Sequence, residues 1–193
     1  MKILITGGCG QIASTAVFEL LNSGHQIDVV DNLTTGDYDN LSKFDINIKH
    51  VPIFAIDLFE EKYSNLRKQN QVLFFEADFE EEILLKRISC GYYDVILHFA
   101  ATTKKEDILK NVAVAVDNNI TRTFNLLDYS NKSNSTKFIL AMHSQDDGSL
   151  FVSHKKLIET HVKSREIEVL YLRYDDLSGC ESSLKNLLKS IGA

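Results

Sequence analysis

Residues 5–14, ITGGCGQIAS, lie between a short apolar run and a stretch with the periodicity of an amphipathic helix. Glycine and alanine are spaced as G-x-x-G-x-x-A at Gly7, Gly10 and Ala13. Gly7 permits a tight turn, Gly10 lets backbone N–H groups approach a pyrophosphate, and the small Ala13 lets helix and strand pack closely. This stretch therefore predicts a strand, a phosphate-binding turn and a helix, whose N-terminus adds a positive field where phosphates would lie.

The acidic residue Asp31 stands at the end of the next predicted strand, where its carboxylate can accept hydrogen bonds from the adenosine ribose of a dinucleotide. Its charge would repel the additional phosphate of NADP, and no Arg or Lys lies close in sequence to bind that phosphate. The turn and Asp31 together predict NAD as the cofactor, in contact with Gly7, Gly10, Gln11 and Ile12. A glycine turn without a ligand is the alternative interpretation.

Short apolar runs alternate with amphipathic stretches along the whole chain. This alternation predicts an α/β fold with a doubly wound parallel sheet, the Rossmann fold, with helices on both faces. The six predicted strands span residues 2–6, 26–31, 72–77, 95–100, 137–142 and 168–174. The predicted helices span residues 12–23, 80–89, 105–129, 151–164 and 182–190. We expect a single NAD-binding domain over residues 1–193.

The composition, with 44% hydrophobic residues and a net charge of −6, is that of an ordinary globular domain. A nucleic-acid partner is not expected, because the lysines are scattered among acidic residues instead of forming a basic stripe. No apolar run has the length of a signal peptide or membrane span, so we expect no membrane partner and a cytoplasmic location. Cys9, Cys90 and Cys180 fit neither a disulfide framework nor a metal site, and we interpret them as free thiols.

The connection over residues 36–71 is long for such a fold and should contain structure of its own. Its segment HVPIFAIDLF, residues 50–59, contains the only proline and is compatible with an additional edge strand or a partner surface. The following segment FEEKYSNLRKQ, residues 59–69, has the pattern of a helix. A covered surface insertion is the simpler interpretation.

Eight segments resemble, in the same order, those of the extended short-chain dehydrogenase/reductase family, especially its NAD-dependent nucleotide-sugar epimerases and dehydratases. They span nearly the whole chain and are TGGCGQIAS, DNLTTG, FFEADFEEEILLKRI, YDVILHFAA, DNNITRTFNLLDYS, KFILAM, HKKLIE and LRYDDLSG. The resemblance implies a nucleotide sugar as the candidate small-molecule partner. It also implies a homodimer that pairs the helix from Lys105 with the helix from Phe151.

The resemblance assigns further cofactor contacts to strand ends and one helix: Asn32 beside Asp31, Asp78 and Phe79 at the adenine, Ala100 and Ala101 beside the nicotinamide ribose, and Asn119. A capping box of Asp78 with Glu81 is a compatible structural interpretation. Asn119 shares a helical face with apolar residues, so a hydrogen-bonded structural amide and a cofactor contact both remain open. We interpret His98, which lies between apolar residues on a strand, as a core histidine.

The catalytic segment departs from the family pattern. In the family a Tyr and a Lys four residues apart open a helix, and the Lys holds the nicotinamide ribose and lowers the Tyr pKa for proton transfer. Lys155 matches the Lys, but Phe151 occupies the Tyr position and a phenyl ring cannot transfer a proton. The assisting Ser or Thr aligns best with His143, with Ser144 one residue away. The segment QDDGSL before the helix is shorter than in the family, and from residues 1–193 we expect no counterpart of the family's C-terminal substrate region.

Three hypotheses follow from these departures. The first is an NAD-binding protein that has lost ordinary turnover. The second is an active enzyme in which His154 or His143 serves as the acid-base group near neutral pH. Packing roles for both histidines are the simpler interpretation. The third is a binding module that uses the fold only as a scaffold and has no cofactor affinity.

Overall fold

In the computed structural model, the described residues are 1–57, 68, 70–133, 136–143, 148–164, 169–174, 182–183 and 185–186, with the backbone alone at His143 and Tyr174. They form a seven-stranded sheet in the order β3-β4-β2-β1-β5-β6-β7, in which every neighbouring pair is parallel. The strands are β1 (Lys2–Thr6), β2 (Gln26–Asp31), β3 (Asn47–His50), β4 (Gln71–Glu76), β5 (Val95–His98), β6 (Lys137–His143) and β7 (Leu170–Tyr174). The prediction of a doubly wound parallel sheet is confirmed.

Helices cover both faces of this sheet. They are α1 (Gln11–Asn22), α2 (Tyr38–Ser42), α3 (Glu82–Ser89), α4 (Lys105–Lys110), α5 (Val112–Val116), α6 (Arg122–Asn131) and α7 (Leu150–Ser164), with a π-helical turn at Asp117–Thr121 and a 3-10 turn at Ile53–Ala55. Along β1, Ile3 and Ile5 join the apolar cluster that contains α1, and Leu4 joins the cluster that contains α3, α6 and α7. Side chains alternate between the faces of a strand, so a sheet covered on both sides needs apolar residues at every position.

The strand order reverses at β1, which pairs with β2 on one side and with β5 on the other. In open parallel sheets a ligand crevice forms at such a reversal, beyond the carboxyl ends of the strands. Backbone hydrogen bonds hold the two turns of this crevice together. The Gly7 N–H donates to the Val30 carbonyl at 2.9 Å, and the Phe99 N–H donates to the Thr6 carbonyl at 3.0 Å.

The connection over residues 36–71 contains structure, as expected: α2, β3 and the 3-10 turn. The additional edge strand is Asn47–His50, which pairs with β4 and lies ahead of most of HVPIFAIDLF. The strand interpretation of that segment was wrong, since Pro52 has no N–H for a ladder and instead opens the 3-10 turn. The helices predicted at 59–69 and, for the most part, at 182–190 lie outside the described residues.

The predicted continuous helix over residues 105–129 was wrong. Asn111, with φ −151° and ψ 85°, ends α4, and its side chain accepts the Val114 N–H at 3.2 Å to begin α5. Asparagine favours such caps because its side-chain oxygen replaces a missing helical acceptor. The π-helical turn then follows α5 directly and leads into α6.

The predicted capping box of Asp78 and Glu81 was also wrong. Helix α3 begins at Glu82, and Glu81 precedes it without a side-chain capping bond. Asp78 instead accepts the Glu80 N–H at 3.0 Å through one oxygen and an Arg122 guanidinium contact at 2.6 Å through the other. Its carboxylate is therefore committed to a turn and an ion pair ahead of the helix.

Candidate functional site

A cavity of about 470 Å³ opens at the carboxyl ends of the central strands, within the ~300–1,000 Å³ range of small-molecule sites. Nine of the twelve predicted cofactor residues line it: Gly7, Gly10, Gln11, Ile12, Asp31, Asn32, Phe79, Ala100 and Ala101. The other three, Asp78, Asn119 and Lys155, do not line it. The structure thus brings the predicted turn, the strand-end carboxylate and the opposite strand end to one hollow.

The glycine turn forms the floor of this cavity. Gly7 has φ +71°, and a Cβ there would lie 2.6 Å from the backbone N and Cα of Ala100, so only glycine fits without strain. Gly10 precedes α1 and has no side chain with which to cap it. The first N–H groups of a helix have no intrahelical acceptor, so the start of α1 presents free donors and a positive field to the cavity.

The carboxylate of Asp31 lies at the side of the turn and is held by backbone donors. One oxygen accepts the Cys9 N–H at 2.9 Å and the other accepts the Leu33 N–H at 2.9 Å. Burial raises the pKa of Asp31, and these two hydrogen bonds oppose the rise. Each carboxylate oxygen can accept a second hydrogen bond, so Asp31 can still bind hydroxyl groups from the cavity.

The loop after β2 is fastened against this carboxylate. The Cys9 carbonyl accepts the Asp37 N–H at 3.1 Å and the Asn40 side-chain amide at 3.0 Å. A Cβ on Gly36 would lie 2.9 Å and 3.0 Å from the two Asp31 oxygens. The backbone groups of Cys9 therefore join the glycine turn to both Asp31 and the loop beyond it.

The thiol of Cys9 takes no visible part in chemistry. It is fully buried, and burial, followed by the charges of Asp31 and Asp37, raises its pKa to about 12. A thiol with this pKa carries almost no thiolate at neutral pH and is a poor nucleophile. This confirms the interpretation of Cys9 as a free, space-filling thiol; Cys90 is also free and exposed, whereas Cys180 lies outside the described residues.

Arg122 joins the loop after β4 to the long helical segment at the Asp31 side of the cavity. Its guanidinium contacts Asp78 at 2.6 Å, Glu80 at 3.1 Å and Asp117 at 3.2 Å. The Asn32 amide adds a 3.4 Å contact to Asp78. Arg122 lines the cavity, and no pattern in the sequence pointed to it.

Asn119 makes the hydrogen bonds of a structural amide, which is one of the two interpretations left open by the sequence. Its side-chain oxygen accepts the Thr102 N–H at 2.7 Å, and its amide donates to the Thr102 carbonyl at 2.8 Å. The same amide reaches the His154 Nδ1 at 3.1 Å. Asn119 is fully buried, so it positions the cavity wall at Thr102 without touching the cavity itself.

The two histidines near this wall are held as neutral groups. His98 is fully buried between the Thr6 hydroxyl, 2.6 Å from its Nδ1, and the Thr123 hydroxyl, 3.0 Å from its Nε2. Burial, and then the charge of Lys155, lower the pKa of His98 and of His154. The interpretation of His98 as a core histidine is confirmed.

Lys155 is buried on α7 with 2% exposure. Within the described part of the chain its Nζ makes no hydrogen bond, and it lies 5.6 Å from the centroid of the Phe151 ring. Burial lowers the pKa of Lys155 from 10.5 to about 8. The lysine therefore does not extend past Phe151 to solvent, and its amine is a buried cation in need of a partner.

Two predicted catalytic residues cannot be placed in full. His143 is the last residue of β6, and its side chain is not described. Ser144 lies outside the described residues. The sequence-based hypotheses about both stay predictions.

The model of the NAD dependent epimerase/dehydratase family matches residues 3–144 of this chain. The chain belongs to this family. Membership confirms the resemblance to the extended short-chain dehydrogenase/reductase family and its nucleotide-sugar epimerases and dehydratases. The family is NAD-dependent by its description, which confirms the cofactor that the glycine turn and Asp31 predicted.

The curated relatives similar to this chain include an epimerase of nucleotide sugars. The bifunctional UDP-glucose 4-epimerase and UDP-xylose 4-epimerase 1 of Pisum sativum is 27% identical over 140 residues, which are 72% of this chain and 36% of that protein. The bifunctional protein GAL10 of Candida maltosa is 30% identical over 139 residues, which are 71% of this chain and 77% of that protein.

Two solved structures show the same fold. The UDP-glucose 4-epimerase of Thermotoga maritima with UDP-glucose matches with a TM-score of 0.63 at 23% identity, over 90% of this chain and 55% of that one. The UDP-glucose-4-epimerase of Stenotrophomonas maltophila with bound NAD and formylated UDP-arabinopyranose matches with a TM-score of 0.64 at 20% identity, over 90% and 52%. The chain thus spans about half of these structures and about a third of the pea enzyme.

Sequence reasoning missed the part of this family member's cavity that comes from its loops. The unpredicted lining residues include Thr34, Thr35, Gly36, Asp37 and Asn40 after β2, Thr102, Thr103 and Lys104 after β5, and Asn118 and Arg122. The loop residues directly follow predicted strand ends, so their position gave a signal.

No helix in the described ranges is both long and apolar enough to span a bilayer.

Proposed function

We propose that this chain binds NAD(H) in the cavity at the ends of β1, β2, β4 and β5. One hollow unites a glycine turn, an uncapped helix start and a strand-end carboxylate, and this combination carries the proposal. The N–H groups at the start of α1 would receive the pyrophosphate, and Asp31 would accept the hydroxyl groups of the adenosine ribose. Bound NAD supplies a hydride acceptor, which protein side chains lack.

The buried amine of Lys155 supports the same ligand. About nine in ten of these amines are protonated at pH 7 when the pKa is about 8. A buried cation without a hydrogen-bond partner is unfavourable, and ribose hydroxyl groups are suitable acceptors. Lys155 does not line the cavity, so contact with a nicotinamide ribose requires a change of its side-chain rotamer.

We also propose that turnover of nucleotide sugars is impaired. The position of the proton-transferring Tyr in the family is taken by Phe151, whose ring lies 5.6 Å from the Lys155 amine. Phe151 has no hydroxyl, so Lys155 has no phenol beside it whose pKa it could lower. The described residues therefore fit binding of the cofactor better than proton transfer to or from a sugar.

The geometry of His154 gives little support to a rerouted base on α7. The Asn119 oxygen is occupied by the Thr102 N–H, so the amide nitrogen faces His154, and Nδ1 must accept. The proton of neutral His154 then sits on Nε2, which leaves no free lone pair for a substrate proton. Burial also favours this neutral form by lowering the pKa of His154.

A nucleotide sugar and a second copy of this chain are the proposed partners. The relative from Pisum sativum is named as a 4-epimerase of UDP-glucose and UDP-xylose, which supports the first. Exposed apolar residues on α4, α5 and α7 support a dimer through these helices: Leu109, Val112, Val116, Leu150 and Leu157. Light scattering should give twice the 21.8 kDa chain mass for the wild type and the mass of one chain for Leu157→Glu. A wild-type protein with the mass of one chain would contradict this interface.

Calorimetric titration with NAD, NADH and NADP tests the cofactor proposal. We expect both NAD and NADH to bind and NADP to bind more weakly, because Asp31 and Asp37 line the ribose side of the cavity. If neither NAD nor NADH binds in these titrations, the scaffold hypothesis is favoured instead.

Assays with UDP-glucose and related sugars test the catalytic part. Wild-type protein should show no epimerase or dehydratase turnover above background, and Phe151→Tyr restores the missing phenol near Lys155. Phe124→Tyr is a matched control, since it adds the same hydroxyl on α6 beside His161. Ordinary turnover by the wild type would refute impairment, and its loss in His154→Ala would establish the rerouted base.

A further inference from the structure

We infer that the guanidinium of Arg122 forms the wall against which the adenine base of the cofactor binds. This inference rests on the proposed NAD(H) binding and adds a residue that contacts the base. Arg122 lines the cavity, and its side chain is 29% exposed. Its partner Asp78 follows β4, and Asn32, which contacts Asp78, follows β2. Both strands lie on the Asp31 side of β1, which is the side that the adenosine half would occupy.

The guanidinium is held in place before any ligand arrives. Nη1 contacts Asp78 at 2.6 Å, and Nε contacts Glu80 at 3.1 Å and Asp117 at 3.2 Å. Asn125 donates to Glu80 at 2.6 Å and fixes that carboxylate in turn. Arg122 also lines the cavity and its side chain is 29% exposed, so part of the fixed guanidinium side chain faces the cavity.

The local charge decides what Arg122 can bind. Three carboxylates surround one guanidinium, so the cluster has a net charge of about −2 and would repel a phosphate. A planar guanidinium nevertheless keeps its affinity for aromatic faces, and a purine offers such a face. Arg122 therefore serves a neutral base and does not rescue the 2′-phosphate of NADP.

The remaining walls at this end agree with a flat, neutral group. Phe79, Ala77 and Val30 line the cavity on the same side, and Phe79 is packed edge-on against His98 with centroids 5.2 Å apart. Apolar walls exclude water, which strengthens contact between a cation and a π-system. An adenine between apolar side chains and a fixed guanidinium would be recognised by its face.

The affinities of AMP and nicotinamide mononucleotide, measured by ligand-detected NMR on the full chain, test this inference. Arg122→Ala should weaken AMP and NAD by roughly 3- to 30-fold and leave nicotinamide mononucleotide within about twofold. Arg122→Lys should weaken AMP as well, because an ammonium keeps the charge but not the plane. Arg173→Ala is the charge-matched control on β7, away from the cavity, and should leave AMP unchanged.

Failure of the inference can be told from failure of cofactor binding. If wild-type protein binds NAD but Arg122→Ala binds AMP equally well, Arg122 does not contact the base. Tighter binding of 2′,5′-ADP than of AMP by the wild type that is lost in Arg122→Ala would make Arg122 a phosphate ligand and overturn the inference. Should Arg122→Ala fail to fold by circular dichroism, the AMP affinity of Arg122→Lys decides. Absence of NAD binding in the wild type would instead refute the proposed function.

Discussion

Replacement of Lys155 by Met should make the free protein more stable and its cofactor binding weaker. Lys155 is 2% exposed, and its Nζ has no hydrogen bond within the described chain. Met has a similar length, fills irregular space and carries no charge to bury. The substitution therefore removes an electrostatic cost and keeps most of the packing.

The lowered pKa sets the size of this effect. A change from 10.5 to about 8 corresponds to about 3 kcal/mol, at about 1.4 kcal/mol for each tenfold change in the proton equilibrium. Below pH 8 both states of the chain hold the proton, and the folded state bears the full cost. Between pH 8 and 10.5 the unfolded chain binds more protons than the folded one, so stability rises with pH. Above this range both forms are neutral and the cost is gone.

Urea denaturation of the wild type and Lys155→Met at pH 7 and pH 10 measures the effect. The difference in the free energy of unfolding should approach about 3 kcal/mol at pH 7 and fall towards zero at pH 10. Comparing the two proteins cancels other groups that titrate in this range. Lys156→Met, at an exposed neighbour on the same helix, should change stability by no more than about 0.5 kcal/mol.

Calorimetry on the same variants connects stability to binding. Loss of a hydrogen bond from a charged amine to the ribose should weaken NAD by roughly 10- to 100-fold in Lys155→Met. A Lys155→Met protein less stable than the wild type at pH 7, or a stability difference that does not vary with pH, would refute the buried-cation reasoning.

Three other substitutions or treatments test the cavity. Gly7→Ala should lower the free energy of unfolding by at least about 2 kcal/mol, because the new Cβ would clash with the Ala100 backbone. Gly24→Ala is the control: Gly24 has φ +85° but no atom within 4 Å of the new Cβ, so the cost should be about 1 kcal/mol. Equal costs for the two substitutions would contradict the clash. Iodoacetamide at pH 8 should modify Cys90 and spare Cys9 until urea unfolds the chain, as mass spectrometry of the peptides can show. Asp31→Asn should weaken NAD roughly tenfold and narrow its advantage over NADP; an unchanged ratio of the two affinities would show that Asp31 does not select the cofactor.

Local chemistry made the β1 to β2 part of the site predictable. Three of the site residues were predictable from their neighbours in sequence. Gly7 adopts a positive φ, Gly10 leaves the start of α1 without a side-chain cap, and Asp31 ends β2. The order of parallel strands then follows from few topological choices. Asn32, Phe79, Ala100 and Ala101 also line the cavity, but these were predicted from the family resemblance and not from local chemistry.

Contacts between distant segments explain the rest. Arg122 is held beside the cavity by Asp78, which lies 44 residues away in the chain. The strand β3 has only four residues and a largely exposed surface, so its pattern was too weak to detect. The break at Asn111 depends on the side-chain cap that Asn111 provides. The apolar pattern on both sides of Asn111 is also that of one continuous helix, so the sequence did not reveal the break.

The pairing of Phe151 with Lys155 has an energetic consequence. In an active relative of this kind the buried lysine would act on a phenol as well as on the ribose, whereas in the proposed NAD(H) complex of this chain only the ribose would be a partner. A cost of about 3 kcal/mol for the free amine is a large part of the stability of a typical domain. Cofactor binding would offset this cost by supplying acceptors, so the same NAD concentration should raise the melting temperature of the wild type more than that of Lys155→Met. A scaffold without cofactor affinity would have no such compensation, which is why the buried amine favours a cofactor-binding protein over a bare scaffold.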